Sequence, residues 1–309
     1  MLEVRGLKKN YGDLVAVNGI SFSLNPGDVF GFIGSNGAGK TTTIKMIATL
    51  IEPNGGTALV NGFDILQDPL DVRRQIGYMP DFFGLYDDIK VWEYLDFFAN
   101  IYGVTSRLRP EVIDNVLEMT DLTVKKDAFV QSLSRGMQQR LCLARCLVHD
   151  PALLLLDEPA SGLDPRARAE LKDLLVSLGK RGKIIVVSSH ILPELADFCN
   201  TVGIIERGNM LALGPVDEVV KAGQAHRTIR IRFLSSVETA EKFLHTQPLV
   251  SDLRPDSDGC LVIGFTGGLE DQATLLDELI AHGHKVLDFR EEQADLEDLF
   301  LRITTGAVQ

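Results

Sequence analysis

Gly34-Ser35-Asn36-Gly37-Ala38-Gly39-Lys40-Thr41 is the stretch of this sequence that decides the fold. An apolar segment before it, 29–33, predicts a buried strand, and residues 42–50 after it predict a helix. Glycines let the backbone curl so that successive N–H groups point at phosphate oxygens, and the helix N-terminus adds the positive end of its dipole. In such a loop Lys40 would reach the β and γ phosphates, and Thr41 would bind Mg²⁺ through its hydroxyl. The pattern predicts a nucleoside triphosphate site, and a glycine-rich turn without a ligand is the remote alternative.

A second signal is the apolar run 153–156, which is followed by Asp157, Glu158 and Pro159. A strand of this kind places both carboxylates at its C-terminal edge, where ligands of open α/β sheets bind. Asp157 suits a Mg²⁺ role, either direct or through water. Glu158 is the natural general base to polarise the attacking water. Alone, the pattern is a common end to a strand, but beside a phosphate loop it predicts hydrolysis of the triphosphate.

The surrounding pattern predicts an α/β fold with a substantially parallel sheet. Short apolar strands alternate with helices from residue 2 to about residue 215. The runs 153–156 and 183–188 are nearly unbroken, as is typical of strands that are buried on both faces. We expect these two strands at the centre of the sheet.

Between residues 81 and 150 the strand signal disappears. Helical periodicity, with Gly or Pro at the ends, takes over in segments such as 91–102 and 111–119. We expect a helical subdomain, about residues 82–150, inserted into the α/β core.

The pattern changes again after residue 221. Strand, helix, two strands, helix and strand are predicted in turn at 228–234, 236–245, 249–253, 260–265, 269–282 and 285–289. That β-α-β-β-α-β order is the ferredoxin-like split βαβ arrangement. A last helix, 296–303, is expected to close the chain. The predicted division is a nucleotide-binding domain at 1–220 and a small α+β accessory domain at 221–309.

Composition narrows the classes of partner and compartment. Hydrophobic content of 45% and charged content of 24% are ordinary for a folded protein. The net charge of −12 argues against a nucleic-acid partner, because affinity for phosphate backbones comes from clustered Lys and Arg. No run of 18 apolar residues and no signal-peptide pattern occurs, so we expect a cytoplasmic protein.

The cysteines Cys142, Cys146, Cys199 and Cys260 are scattered along the chain. Cys142 and Cys146 are four residues apart on a predicted helix and could share a metal, but no second pair or nearby His completes a site. We expect buried apolar thiols.

Residues 133–140, Leu-Ser-Arg-Gly-Met-Gln-Gln-Arg, lie shortly before the acidic strand and resemble the signature motif of the ATP-binding cassette (ABC) family. The resemblance covers about residues 2–222. It continues with Ser161-Gly162-Leu163-Asp164, which is similar to the family's D-loop, and with His190, which follows a strand as the switch histidine does. Tyr11 stands where the family places an aromatic that stacks on adenine. Taken singly, Ser134 would be interpreted as a helix cap, His190 as a structural histidine and Tyr11 as a structural tyrosine. Their functional interpretation depends on their occurrence together with the other motifs.

The resemblance implies a P-loop NTPase fold, ATP and Mg²⁺ as ligands, and a set of site residues. Catalysis would rest on Glu158, His190 and Lys40. The residues implied to bind ATP are Tyr11, Gly34, Ser35, Asn36, Gly37, Ala38, Gly39, Lys40, Thr41, Thr42, Ser134 and Gly136. Those implied to bind the metal are Thr41, Asp157 and Asp81. The dimer interface would include Ser134, Gly136, Ser161 and Asp164.

The chain departs from the family pattern at two places. Asp81 stands where the family usually has the Q-loop glutamine, and it could still bind Mg²⁺ or water. In the signature, Arg135 and Met137 replace the commoner Gly and Gln. Because Ser134 and Gly136 remain, activity is expected to survive.

The resemblance also implies partners. Two copies would close head to tail as a homodimer, each holding ATP between its own phosphate loop and the other's signature helix. The pair would dock on polytopic membrane permease subunits at the cytoplasmic face of the membrane. Residues 81–88, with Phe82, Phe83, Leu85 and Tyr86, could form the docking surface, although packing within the helical subdomain is an equally good interpretation.

The C-terminal part, which ends in Leu296-Glu-Asp-Leu-Phe300-Leu, is similar to the accessory domain of ATPases that serve ABC-2-type and drug-resistance exporters, which favours export. Two other classes of function stay open. A soluble ABC ATPase that remodels ribosomes or DNA usually carries two cassettes, a coiled coil or a zinc insert, whereas this chain has one cassette and a short insert. A nucleotide-binding module without catalysis conflicts with intact Lys40, Asp157, Glu158 and His190.

Overall fold

A computed structural model of the chain describes residues 1–82, 84, 86, 88–191, 195, 197–223, 227–234, 237–256 and 260–292. The chain divides into two compact units, Met1–Val216 and Asp217–Gln309. The predicted closing helix at 296–303 lies outside the described residues. Among the residues described, no helix has the length and apolar character needed to cross a membrane.

The strands of the described residues are β1 (Leu2–Tyr11), β2 (Leu14–Leu24), β3 (Val29–Ile33), β4 (Gly55–Val60), β5 (Phe63–Asp64), β6 (Ile76–Met79), β7 (Leu153–Asp157), β8 (Ile184–Ser189), β9 (Thr201–Glu206), β10 (Asn209–Pro215), β11 (Arg227–Phe233), β12 (Val250–Pro255), β13 (Cys260–Phe265) and β14 (Val286–Glu292). The helices are α1 (Lys40–Ile47), α2 (Pro69–Gln75), α3 (Val91–Ile101), α4 (Arg109–Met119), α5 (Arg135–Leu147), α6 (Pro165–Lys180), α7 (Val216–Gly223), α8 (Val237–Leu244) and α9 (Leu269–Ala281). Two short 3-10 helices, Thr123–Lys125 and Val130–Ser132, precede α5.

The first unit contains two sheets rather than the single one that the sequence predicts. The six-stranded sheet has the order β10-β9-β3-β8-β7-β6, and its strands are parallel except for the edge strand β10. As predicted, β7 and β8 are interior strands with every residue buried. The parallel order brings the C-terminal ends of β3, β7 and β8 to one edge, where the site lies.

The second sheet, β2-β1-β4-β5, is antiparallel and was not predicted. Its first hairpin pairs Tyr11 with Leu14 across a two-residue turn, in which Gly12 has φ of 58°. Such tight turns need positive φ, which glycine adopts without strain. The structure therefore has a hairpin where the alternation of strands and helices in the sequence predicts only parallel strands.

The core of the first unit contains buried residues from both sheets and from α1. Phe22 of the antiparallel sheet stacks on Phe30 of β3, with ring centroids 5.0 Å apart. Phe32, also on β3, lies 6.3 Å from Phe22. Burial of these rings against each other holds β3 in place, and β3 leads directly into the phosphate loop.

Helices replace strands between β6 and β7, as predicted. In this segment α3 and α4 contact each other and both contact α5, and each helix buries apolar residues. Helix α4 begins at Arg109, two residues earlier than the predicted start, and carries Pro110 in its first turn, where a missing N–H has no cost. The insertion supplies α5, whose N-terminus carries the signature residues.

The second unit has the predicted element order β11-α8-β12-β13-α9-β14. Its sheet is antiparallel in the order β12-β13-β11-β14, so that β13 lies between the two strands that α8 connects. Its core consists of alternate residues of β11 and β13 together with residues of α8 and α9, including Ile229, Ile231, Leu261, Ile263 and Leu279.

Candidate functional site

The phosphate loop passes from β3 into α1 at the predicted place, but the helix bounds differ. Helix α1 begins at Lys40 because Gly39, with φ of 112°, forms the N-cap. It ends at Ile47 rather than at residue 50, since Thr49 has φ of 58°, which is not helical. A Cβ on Gly34 would lie 2.4 Å from the carbonyl oxygen of Ile205, and one on Gly39 would lie 2.5 Å from that of Ala16. Glycine is therefore required at both ends of the loop.

Lys40 is almost completely buried, with 5% of its surface exposed. Its Nζ donates to the carbonyl oxygens of Gly34, at 2.5 Å, and Ser35, at 3.2 Å, and lies 3.6 Å from Oε1 of Glu158. Burial lowers the pKa of Lys40, while the carboxylates of Glu158 and Asp157 raise it. The ammonium group thus lies between the phosphate loop and the acidic end of β7.

Asp157 is the last residue of β7 and has 1% of its surface exposed. Its Oδ1 accepts hydrogen bonds from the hydroxyl of Thr41, at 3.1 Å, and from the hydroxyl of Ser188 on β8, at 2.7 Å. A carboxylate oxygen beside a hydroxyl oxygen is a hard donor pair that fits Mg²⁺, which usually takes one or two protein ligands and keeps waters or phosphates as the others. In the part of the chain described, no cluster of three His, Cys, Asp or Glu forms a metal cage.

Glu158 lies at the turn after β7, with φ of 49°. Its N–H donates to Oγ of Ser188 at 3.0 Å, and its Oε2 lies 3.0 Å from Nδ1 of His190. The carboxylate is therefore held between Lys40 on one oxygen and His190 on the other. A carboxylate so oriented can accept a proton from a water molecule placed against the phosphate loop.

A cleft of about 280 Å³ has Lys40, Thr41 and Glu158 in its lining, but not Asp157 or His190. It is lined by Tyr11, Leu14, Ala16, Ser35, Asn36, Gly37, Ala38, Gly39, Lys40, Thr41, Thr42, Asp81 and Glu158. The ring of Tyr11 is 49% exposed, with Nζ of Lys9 5.5 Å from its centroid. The structure thus brings the predicted aromatic, the phosphate loop, Asp81 and the general-base candidate to one cleft.

A larger cavity of about 440 Å³ lies beside α6 and shares Glu158, Ser188 and His190 with the groups above. Its lining contains apolar residues of α6, including Leu171 and Leu175, and no residue of the phosphate loop. The smaller cleft, which is lined by the loop residues predicted to bind phosphate, is therefore the candidate nucleotide site.

The signature and D-loop residues lie elsewhere. Ser134 is the N-cap of α5 and is exposed, and its hydroxyl accepts from the N–H of Met137 at 3.4 Å. Asp164 caps α6 by accepting from the N–H groups of Arg166 and Ala167. None of Ser134, Gly136, Ser161 and Asp164 lines the 280 Å³ cleft. The contact with nucleotide that is predicted for Ser134 and Gly136 stays a prediction, because neither residue lines the cleft of its own chain.

Sequence reasoning missed Ser188, whose single hydroxyl holds both Asp157 and the backbone of Glu158. A signal was present, because Ser188 and Ser189 are the two polar residues at the end of an otherwise apolar buried strand. It also missed Glu206, which accepts from the hydroxyl of Ser35 at 2.9 Å, and Gln139, which donates to the carbonyl oxygen of Pro159. No local pattern marks Glu206, and although Gln139 lies in the signature-like stretch 133–140, that stretch does not indicate its partner.

The thiols are buried and free, as predicted. Burial raises the pKa of Cys142 to about 12 and also raises the pKa of Cys146, despite the neighbouring Arg145. These cysteines are packing residues rather than nucleophiles.

Comparison with known proteins gives consistent matches. The ABC transporter family profile matches residues 17–161. Nod factor export ATP-binding protein I of Burkholderia orbicola (strain AU 1054) is 34% identical over 308 residues, covering 100% of this chain and 98% of that protein. Linearmycin resistance ATP-binding protein LnrL of Bacillus subtilis (strain 168) is 31% identical over 306 residues, covering 98% of each.

Solved structures agree with these matches. An ATP-binding subunit of an ABC transporter has a TM-score of 0.66 and 31% identity, over 72% of this chain and 92% of that chain. The protein cbiO1 from Clostridium perfringens, part of the ABC transporter complex cbiONQ, has a TM-score of 0.65 and 28% identity. The match covers 72% of this chain and 94% of cbiO1. A dimeric bacterial ABC transporter cassette has a TM-score of 0.64, and the match covers 70% of this chain and 99% of that chain. Because the two sequences are only 23% identical, this match shows a common fold and nothing more.

Proposed function

The chain belongs to the ABC transporter family, and from that membership we propose that it powers export as one of two identical cassettes docked on separate membrane subunits. It is the ATP-binding and ATP-hydrolysing subunit of such a system. The observation that carries the proposal is the convergence of Lys40, Asp157, Glu158 and His190 on the phosphate loop. A nucleotide-binding module without catalysis would need no such carboxylate.

The chemistry follows from this geometry. The amides of the loop and the ammonium group of Lys40 hold the triphosphate, and Tyr11 offers its ring to the base. Thr41 and Asp157 would hold Mg²⁺, which when bound neutralises charge on the phosphate oxygens. Glu158 accepts the proton of the attacking water, and His190, 3.0 Å from its Oε2, orients the carboxylate.

Dimerisation follows from the separation of the two motifs. The signature residues Ser134 and Gly136 do not line the cleft of their own chain, and a two-fold dimer would supply them to the nucleotide of the other protomer. The dimeric cassette among the structural neighbours shows that a protein of this fold assembles in pairs. Because nucleotide would form part of the interface, we expect dimerisation to depend on ATP by mass action.

Glu158→Gln tests the catalytic and the dimeric part together. Loss of the general base should lower turnover by roughly a hundredfold or more, while ATP binding persists. Light scattering of the purified variant should then show a dimer with Mg-ATP and a monomer without it. If the variant turns over ATP at the wild-type rate, Glu158 is not the general base. If it is a monomer both with and without Mg-ATP, the proposed ATP-dependent dimer is refuted.

Export is supported by the relative from Burkholderia orbicola, whose name states it. We propose that the protein lies at the cytoplasmic face of the membrane, where it binds membrane subunits. The relative cbiO1, part of the cbiONQ complex, is a precedent for a cassette that works in an assembly. We propose no nucleic-acid partner, in keeping with the net charge of −12.

An exposed aromatic surface supports the docking proposal. Phe82 is 90% exposed, Tyr86 is 58% exposed, and Phe97 and Ile101 on α3 are also exposed. The ring of Tyr86 lies 6.1 Å from that of Phe97, so it packs on α3 while it still faces solvent. Phe83 and Leu85 lie outside the described residues. An exposed apolar cluster of this kind is typical of a protein contact.

Tyr86→Ala tests this surface in cells that carry the whole transporter. Transport should fall several-fold while the ATPase rate of the isolated protein stays within twofold of wild type. Val124→Ala, at a residue that is 89% exposed on the same insertion, serves as the control. Unchanged transport in Tyr86→Ala would contradict the docking proposal.

A further inference from the structure

Gln139 is a buried polar side chain on α5 that the chemistry above does not use. It is 5% exposed, and its Nε2 donates to the carbonyl oxygen of Pro159, twenty residues further along the chain. A buried amide without a partner is costly, so this hydrogen bond is part of what holds α5 against the segment after β7.

Pro159 directly follows Glu158, whose backbone is unusual. A φ of 49° is unfavourable for a residue with a side chain and persists where neighbouring contacts hold it. On one side the N–H of Glu158 donates to Oγ of Ser188 at 3.0 Å. On the other side the next carbonyl group accepts from Gln139. The backbone that carries the catalytic carboxylate is thus held from β8 and from α5.

Helix α5 touches the same loop at two further points. The guanidinium group of Arg135 covers Gly162, where a Cβ would lie 2.7 Å from Cζ of Arg135. A Cβ on Gly136 would lie 3.6 Å from Cδ2 of Leu163, an ordinary packing distance. Residues three and four apart share a helix face, so positions 135, 136 and 139 present one surface to this loop. The signature end of α5 and the segment after Glu158 therefore pack as one unit.

We propose that Gln139 is a positioning residue for Glu158, coupling the signature end of α5 to the catalytic end of β7 within one protomer. The inference rests on the proposed dimer, in which the N-terminus of α5 faces the nucleotide of the partner subunit. A shift of α5 toward that nucleotide moves Gln139, and with it the Pro159 carbonyl and the carboxylate of Glu158. Binding of ATP at one site then sets the rate of hydrolysis at the other.

The test uses the full chain with Gln139→Met, which keeps the length of the side chain and removes the donor. Turnover should fall by about tenfold to a hundredfold, the scale of a displaced catalytic group. The KM for ATP should stay within threefold, and the Hill coefficient for ATP should fall toward one. Gln131→Met, the same change at an exposed residue of a short 3-10 helix, is the control and should match wild type.

A double-variant comparison separates positioning from general stabilisation. If Gln139 acts through Glu158, adding Gln139→Met to Glu158→Gln should leave the residual turnover unchanged within twofold. A further tenfold fall would overturn the inference. If thermal unfolding shows that Gln139→Met folds poorly, Gln139→Leu, which is also apolar and has no donor, repeats the test.

The outcomes for the two proposals are distinct. If the wild-type protein neither hydrolyses Mg-ATP nor pairs in the Glu158→Gln form, the proposed function itself fails. If wild-type turnover is cooperative and Gln139→Met retains both its rate and its Hill coefficient, only the coupling role is refuted.

Discussion

Two helix N-termini in this protein carry glycine-containing motifs, and their surroundings are opposite. At α1, Gly39 caps the helix, Lys40 is buried, and Asp157 and Glu158 lie within hydrogen-bonding or ion-pair distance of the loop residues. At α5, the cap residue Ser134 is exposed and lies outside the cleft that contains the phosphate loop.

The difference shows that a helix dipole and free N–H groups do not make a complete site. Both termini can attract phosphate, because both present unpaired amides and the positive end of a helix dipole. Of the two, α1 also has the buried Lys40, the Thr41–Asp157 oxygen pair that fits Mg²⁺ and the predicted general base Glu158 in the same chain. We propose that a second chain completes the site at α5, and four variants can sharpen or break this contrast.

Lys40→Ala should have the largest effect. Loss of the buried cation removes the charged hydrogen bonds to phosphate, and the affinity for Mg-ATP should fall by about a hundredfold, equivalent to about 3 kcal/mol. Isothermal titration calorimetry measures this directly. Lys45→Ala, at the last turn of the same helix, is the control and should bind like wild type. Wild-type affinity in Lys40→Ala would mean that α1 is no more complete than α5.

Gly136→Asp should separate the two termini most clearly. A carboxylate at this position would repel the triphosphate of the partner protomer, so turnover should fall by about thirtyfold, or about 2 kcal/mol. Affinity for ATP by the single chain should change by less than about threefold on the same electrostatic grounds, since α5 does not line that cleft. Thr123→Asp adds the same charge at an exposed position of the insertion as a control. A Gly136→Asp chain that no longer binds ATP would place the signature in its own site.

Tyr11→Ala should have an intermediate effect on the α1 site. Stacking of a base on an aromatic ring contributes about 1–3 kcal/mol, so ATP affinity should fall by about fivefold or more. Tyr11→Phe keeps the ring and should retain the affinity. The affinity of Tyr11→Ala is measured for ATP and for inorganic triphosphate, and only the affinity for ATP should fall. An equal fall in affinity for both ligands would refute stacking of the base on Tyr11.

Asp81→Asn should have the smallest effect. Asp81 is exposed at the rim of the cleft, so its charge is screened and contributes about 1 kcal/mol at most to a bound cation. The Mg²⁺ concentration that gives half-maximal ATPase activity should rise by less than about fivefold on that basis. Asp88→Asn, at another exposed aspartate, is the control. If the Mg²⁺ requirement of Asp81→Asn equals that of wild type, the prediction that Asp81 binds the metal is wrong.

Much of the α1 site could be predicted because each of its motifs is short, even though Thr41 and Asp157 are 116 residues apart. The phosphate loop and the pair Asp157 and Glu158 are short motifs at strand ends, and strands of a parallel sheet end at one edge. The antiparallel sheet and the role of Ser188 were not predicted. Both depend on which strands become neighbours, and periodicity reports burial rather than pairing.

The sequence by itself determined the phosphate-loop motif and the acidic end of β7, and from these it predicted a metal-binding carboxylate and a general base. Only the tertiary structure decided that Ser188 holds both carboxylate residues, that Gln139 ties α5 to the segment after Glu158, and that the signature lies outside its own cleft. The physical reason is that a motif carries its own chemistry, and the end of a parallel strand fixes where that chemistry lies in the sheet. Which side chains of β8 and α5 pack against the end of β7 depends on the packing of strands and helices, which no local pattern encodes.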